Sequence, residues 1–121
     1  MDSSRPNEQA HQDLMGDDYV QNQLEKGVSE FMKPMQEVAW GTIWTRPGLE
    51  PKQRSLINIA LLASQGKAEE LAGHVRGAIG NGATELEIRE TLLQAAVYCG
   101  IPTGMTSFRV AEEALAKMKG E

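Results

Sequence analysis

Ser55-Leu56-Ile57-Asn58-Ile59-Ala60-Leu61-Leu62-Ala63 is the stretch on which the fold turns. The run is apolar almost all round, which predicts the central, most buried helix of a helical protein. Pro51 suits the first helical position, where its missing N–H costs nothing, and Gly66 stops the helix. On the C-terminal side, Leu71, Val75 and Ile79 recur at four-residue spacing and end at Gly80-Asn81-Gly82. Thr84-Glu85-Leu86-Glu87 then has the form of a capping box, in which the threonine oxygen takes the N–H of Glu87 and the glutamate reaches back. Ile88, Leu92, Ala95 and Ala96 continue that helix to Gly100. Pro102 opens the last one, with Met105, Phe108, Ala111 and Leu115 on one side.

On the N-terminal side, Val20, Leu24, Val28 and Phe31 recur at three- and four-residue spacing until Pro34 interrupts the pattern. A shorter second helix is expected to carry Met35, Val38, Ala39, Ile43 and both tryptophans, Trp40 and Trp44. It should end before Arg46, because Pro47 disfavours helix at the residue before it. No segment alternates as a half-buried strand would. The expectation is an all-α, single-domain bundle of about six helices over residues 16–121, with an αα-hairpin around Gly80-Asn81-Gly82. Residues 1–15 form a polar stretch expected to be a flexible tail.

The bulk numbers narrow the function classes. A chain of 121 residues is one domain, and one this size buries only about two-thirds of its unfolded surface. Six methionines against two phenylalanines and two tyrosines make a soft core, so a homo-oligomer is expected. A net charge of −5 argues against nucleic-acid binding. No apolar run approaches the roughly 18 residues of a membrane span, and Met1–Gln12 lacks the apolar centre of a signal peptide. The single cysteine, Cys99, fits a reducing compartment, so a cytoplasmic location is expected.

The densest chemistry is Trp40-Gly41-Thr42-Ile43-Trp44-Thr45-Arg46-Pro47-Gly48-Leu49, followed by Arg54. Flat apolar groups beside planar cations suit a small, unsaturated anion, although the same tryptophans could fill core and the arginines sit in water. Arg54, near a helix N-terminus, adds free N–H groups and the helix dipole to any bound carboxylate. His74 borders the stripe of Leu71, Val75 and Ile79, where a half-buried imidazole can donate a proton near neutral pH or simply pack. Tyr98, near a helix end, can donate to a ligand carbonyl or serve as an amphipathic core residue. Arg76 lies about 200° around the helix from His74, which points it to solvent or to a subunit contact.

Other chemistries are excluded by residue type. His74 and Cys99, with His11 in the tail, cannot build a closed zinc shell, and no cofactor is expected. Gly80-Asn81-Gly82 follows a helix and has no Gly-Lys-Ser/Thr, so it reads as a helix stop rather than a phosphate cradle. Cys99 sits where the helix dipole opposes thiolate formation, and packing is its expected role.

Taken together, Trp40-Gly-x-x-Trp44-x-Arg46-Pro-Gly-Leu49, Arg54-Ser-Leu, His74-Val-Arg-Gly-Ala, Asn81-Gly-Ala-Thr and Tyr98-Cys-Gly-Ile-Pro102 resemble the γ-carboxymuconolactone decarboxylase family from about Gly16 to Ala116. That family lies within the alkylhydroperoxidase D-like superfamily. The resemblance implies a helical, ring-like trimer or hexamer that decarboxylates γ-carboxymuconolactone to 3-oxoadipate enol-lactone in protocatechuate catabolism, without a cofactor. As CO2 leaves, its electron pair passes through the ring double bond to the lactone carbonyl, so the substrate is its own electron sink. The resemblance then implies His74 as proton donor and Arg46 or Arg54 as partner of the retained carboxymethyl arm. It implies Tyr98 or the other arginine at the oxyanion, and Trp40 and Trp44 as a dry wall.

The thiol peroxidases of the superfamily carry Cys-x-x-Cys-x-x-x-His. Aligned on His74, Lys67 and Glu70 occupy their cysteine positions, which removes disulfide exchange. Gly104-Met105-Thr106 and Ser64-Gln65 depart from the decarboxylase pattern. The runner-up is an alkylhydroperoxidase/peroxiredoxin-type oxidoreductase relative, disfavoured by the missing cysteine pair, and a non-catalytic helical oligomeric binding protein is the alternative from another class.

Overall fold

Proline and glycine positions punctuate a chain of helices. The computed structural model describes residues 30–121. Helix α1 (Met32–Gln36) runs directly into a π-helical segment, Glu37–Ile43. Helices α2 (Pro51–Ser64), α3 (Ala68–Gly80), α4 (Glu85–Cys99) and α5 (Ile101–Met118) follow. The described residues contain no strand, so the all-α class holds. The expected tail and the stripe from Val20 to Val28 lie outside the described residues.

Local chemistry explains the boundaries. Thr84 Oγ1 accepts the Glu87 N–H at 3.0 Å while the Thr84 N–H donates to the Glu87 carboxylate at 2.9 Å, completing the capping box of α4. A second capping box, unforeseen, joins Glu50 and Gln53 at the start of α2. Pro34 stands in the first turn of α1, where no N–H is required of it. Gly100 alone links α4 to α5 at φ +104°, a conformation that side-chain-bearing residues rarely adopt.

Helices α2 and α5 each pack against both α3 and α4, whereas α3 and α4 meet little although only Asn81–Thr84 separates them. The short αα connection is therefore present, but its two helices bury their faces against α2 and α5. The core consists of Ile59, Leu71, Val75, Ala78, Ile88 and Leu92, with Ala111 and Ala114.

Two expectations change. Among the described residues the most buried helix is α3, which buries Leu71, Gly73, His74, Val75, Gly77 and Ala78. Helix α2 buries Ser55, Ile59 and Ala63, while Ile57 and Leu61 are about half exposed, because no part of the described chain covers its outer side. In α5, Met105 is exposed, and the buried line is Gly104, Ser107, Ala111 and Ala114. A Cβ on Gly104 would stand 2.5 Å from the Ala96 Cβ, so the absence of a side chain there sets how closely α4 and α5 cross.

Candidate active site

The π-helical segment builds the aromatic part of the site. Its wider turn lets the Trp44 N–H reach the Ala39 carbonyl, five residues back, at 2.9 Å. Trp40 and Trp44 thereby stack, with ring centroids 5.2 Å apart and planes inclined by 25°. The other side of the wall is α3: the His74 imidazole stacks on Trp40 at 6.5 Å and 20°. All three rings are buried, which places His74 deeper than the edge position expected from its spacing. The π-helical turn has no signature in the apolar spacing, so this alignment was not legible in the sequence.

The cationic part comes from α2. Arg54, half-buried in the first turns of that helix, donates from Nη2 to the Arg46 carbonyl at 3.2 Å. Its Nε is buried without a hydrogen-bond partner among the described residues. The Arg46 side chain is exposed, so of the two candidate cations Arg54 is the enclosed one. Ser55, adjacent to Arg54 and fully buried, accepts a 2.9 Å hydrogen bond from Asn81 Nδ2 at the C-terminal end of α3. This bond ties the helix that carries Arg54 to the helix that carries His74.

An open groove of about 580 Å³ borders Trp44 and is lined by Met35, Val38, Ile43 and Asn58 among others. Asn58 was missed as a site residue, yet it is the one amide within the apolar run Ser55–Ala63. Tyr98 is not brought to this cluster within one chain. It is largely exposed, in a separate groove between α2 and α4 with Leu56, Ile57 and Ala60. Cys99, expected to pack, is exposed at the end of α4, because the chain turns sharply at Gly100 and leaves that end bare. Arg76 lines a third groove with Glu69, Glu113 and Lys117, between α3 and α5.

Comparison with known proteins gives the family. The model of the carboxymuconolactone decarboxylase family matches residues 29–113. The chain is 48% identical over 115 residues to a nitrosuccinic acid decarboxylase of Metarhizium robertsii, covering 90% of this chain and 80% of the relative. It is 35% identical over 105 residues to a 4-carboxymuconolactone decarboxylase of Acinetobacter baylyi, covering 84% and 78%. An uncharacterised 15.0 kDa protein of Paracoccus denitrificans is 33% identical over 96 residues, covering 78% and 72%.

Proposed function

This chain belongs to the carboxymuconolactone decarboxylase family, and we propose that it is a carboxy-lyase acting on a small dicarboxylate that carries its own electron sink. The observation behind the reading is the buried Trp44–Trp40–His74 stack, a dry aromatic wall that ends in an acid–base group. Arg54, half-buried in the first turns of α2, supplies the cation in this reading.

The substrates named for two relatives share a frame. In nitrosuccinate and in 4-carboxymuconolactone, one carbon bears the departing carboxylate, a carboxymethyl arm and a route for electrons onto oxygen. In nitrosuccinate the C–CO2 bond breaks, its electron pair forms the C=N bond of a nitronate, and negative charge settles on the nitro oxygens. Protonation of the same carbon by His74 then yields 3-nitropropanoate. The arm carboxylate, unchanged throughout, pairs with Arg54. Apolar walls weaken solvation of the departing carboxylate, and a charge spread over an oxyanion suffers less from that loss.

The 48% identity to the nitrosuccinic acid decarboxylase makes nitrosuccinate the first substrate of this reading. The second is 4-carboxymuconolactone, favoured by the Trp40–Leu49 motif and the 35% relative, with 3-oxoadipate enol-lactone as product. Comparing kcat/KM for the two on one preparation decides between them, and a ratio above about 100 corresponds to some 2.7 kcal/mol of discrimination. Preference for the lactone would reverse that order.

The working form in this reading is a homo-oligomer, a trimer or hexamer. Val97, Tyr98, Ile101 and Met105 are all largely exposed at the α4–α5 elbow, an apolar group of the kind that a subunit contact would cover. A monomeric mass by light scattering would remove this element.

A further inference from the structure

We propose that Asn58 is a catalytic residue whose side-chain amide donates a hydrogen bond to the oxygen that gathers negative charge as CO2 leaves. The assignment rests on the decarboxylase reading above and adds a named donor to it. Asn58 lines the groove beside Trp44, and its neighbours there, Met35, Val38 and Ile43, are apolar. No side chain of the described residues engages its amide. Asn58 is half-buried, and once a ligand covers the open groove a donor among these apolar groups interacts more strongly with charge than it would in water.

The placement also suits the substrate frame. Asn58 follows Arg54 by four residues on α2, so the two stand on one face, with Cβ atoms about 5–6 Å apart. A ligand whose arm carboxylate lies at Arg54 can reach Asn58 with its nitro or carbonyl oxygen one helical turn along. Trp44 lines the groove at Asn58, whereas Arg54 stands one turn before it on α2 and His74 is connected to it through the stack on Trp40. Neither Arg54 nor His74 is among the residues that line the groove. The electron pair of the broken C–CO2 bond moves into the new C=N or C=C bond, and the charge reaches the oxygen facing Asn58 Nδ2. The proton added to carbon comes from His74, so Asn58 gives up none and keeps the same role in both substrates. Tyr98, the donor expected from the sequence, occupies a different groove of the chain.

The test uses Asn58→Leu and Asn58→Asp in the full-length protein, with turnover of both substrates and binding of one intermediate analogue. The analogue is the nitronate of 3-nitropropanoate, prepared in base and titrated against 3-nitropropanoate itself. Fluorescence reports binding, since both tryptophans of the chain lie in the wall. Asn58→Leu should lower kcat by about 10²–10³-fold on the substrate the wild type uses, with KM little changed. The wild-type preference for nitronate over neutral nitro compound should shrink in parallel. Asn58→Asp, of the same shape without the donor, should lose as much or more. If the wild type turns over either substrate while both folded variants keep kcat and the nitronate preference, the assignment to Asn58 falls and the decarboxylase reading stands. If the wild type turns over neither substrate and the nitronate leaves its fluorescence unchanged, both fall.

Discussion

The Trp40 indole and the His74 imidazole lie 6.5 Å apart with planes inclined by 20°, one on the π-helical segment and the other on α3. Their stacking fixes the ring plane of the one histidine in the helical domain and excludes water from one of its faces.

As the proton donor of the proposed reaction, His74 should be hard to replace. His74→Ala should lower kcat by about 10²–10⁴-fold, the range of a lost general acid. Steady-state kinetics with circular dichroism as a folding control measures it. Near-normal turnover in the folded variant would remove His74 from the chemistry.

Arg54 is expected to act on binding. Its guanidinium holds the Arg46 carbonyl at 3.2 Å through Nη2, with Nε buried, so in the proposed reading its remaining terminal N–H groups meet the ligand. Arg54→Lys cannot reproduce both contacts, since an ammonium lacks the planar fork. A lost charge-assisted hydrogen bond is worth about 1.5–3 kcal/mol, which corresponds to KM rising by roughly 10–150-fold. An unchanged KM would contradict the assignment.

The contact between Gly104 and Ala96 predicts a stability effect with a built-in control. A methyl group at position 104 would meet the Ala96 Cβ at 2.5 Å, so α4 and α5 must separate to admit it. Gly104→Ala should destabilise the protein by about 1–3 kcal/mol despite its better helix propensity. Adding Ala96→Gly should recover part of that loss, which a double-mutant cycle in urea would measure. Additive effects would show that the helices do not press on each other here.

Glu87 gives a pH signature. The Thr84 N–H bonded to its carboxylate, together with Lys52 at 3.1 Å, holds its pKa below the ordinary glutamate value. Its contribution is fully present above the unfolded pKa, about 4.3 for a glutamate, and is lost as pH falls through the lower folded value. Thermal melts between pH 6 and 3 should show wild type losing more stability than Glu87→Gln in that acidic window. Parallel curves would contradict this.

How much of this was legible in the sequence can be judged residue by residue. The capping box at Thr84, the helix stop at Gly66 and the stripe of Leu71 and Val75 were readable because local hydrogen bonding and burial both favoured them. The apolar run of α2 was readable as a helix but misread as the most buried one. Apolar character records surface that needs covering, and a second copy of the chain can cover it as well as the chain's own helices. Trp40, Trp44, His74 and Arg54 were identified by type. Their stacking depends on a π-helical turn, which periodicity does not encode. Asn58 went unnoticed because a single amide in an apolar run is a weak signal until Trp44 is seen beside it. Tyr98 was placed by its nearness to a helix end, which says nothing of the direction in which that end points.

The central claim is tested most directly by incubating the purified protein with nitrosuccinate in D2O, with a chelator present and no cofactor added, and following CO2 and product by NMR. The account predicts one CO2 per substrate consumed and 3-nitropropanoate carrying deuterium at the carbon that lost the carboxylate, formed faster than in protein-free buffer. A folded protein that releases no CO2 from nitrosuccinate, nor from 4-carboxymuconolactone in the parallel tube, would contradict it.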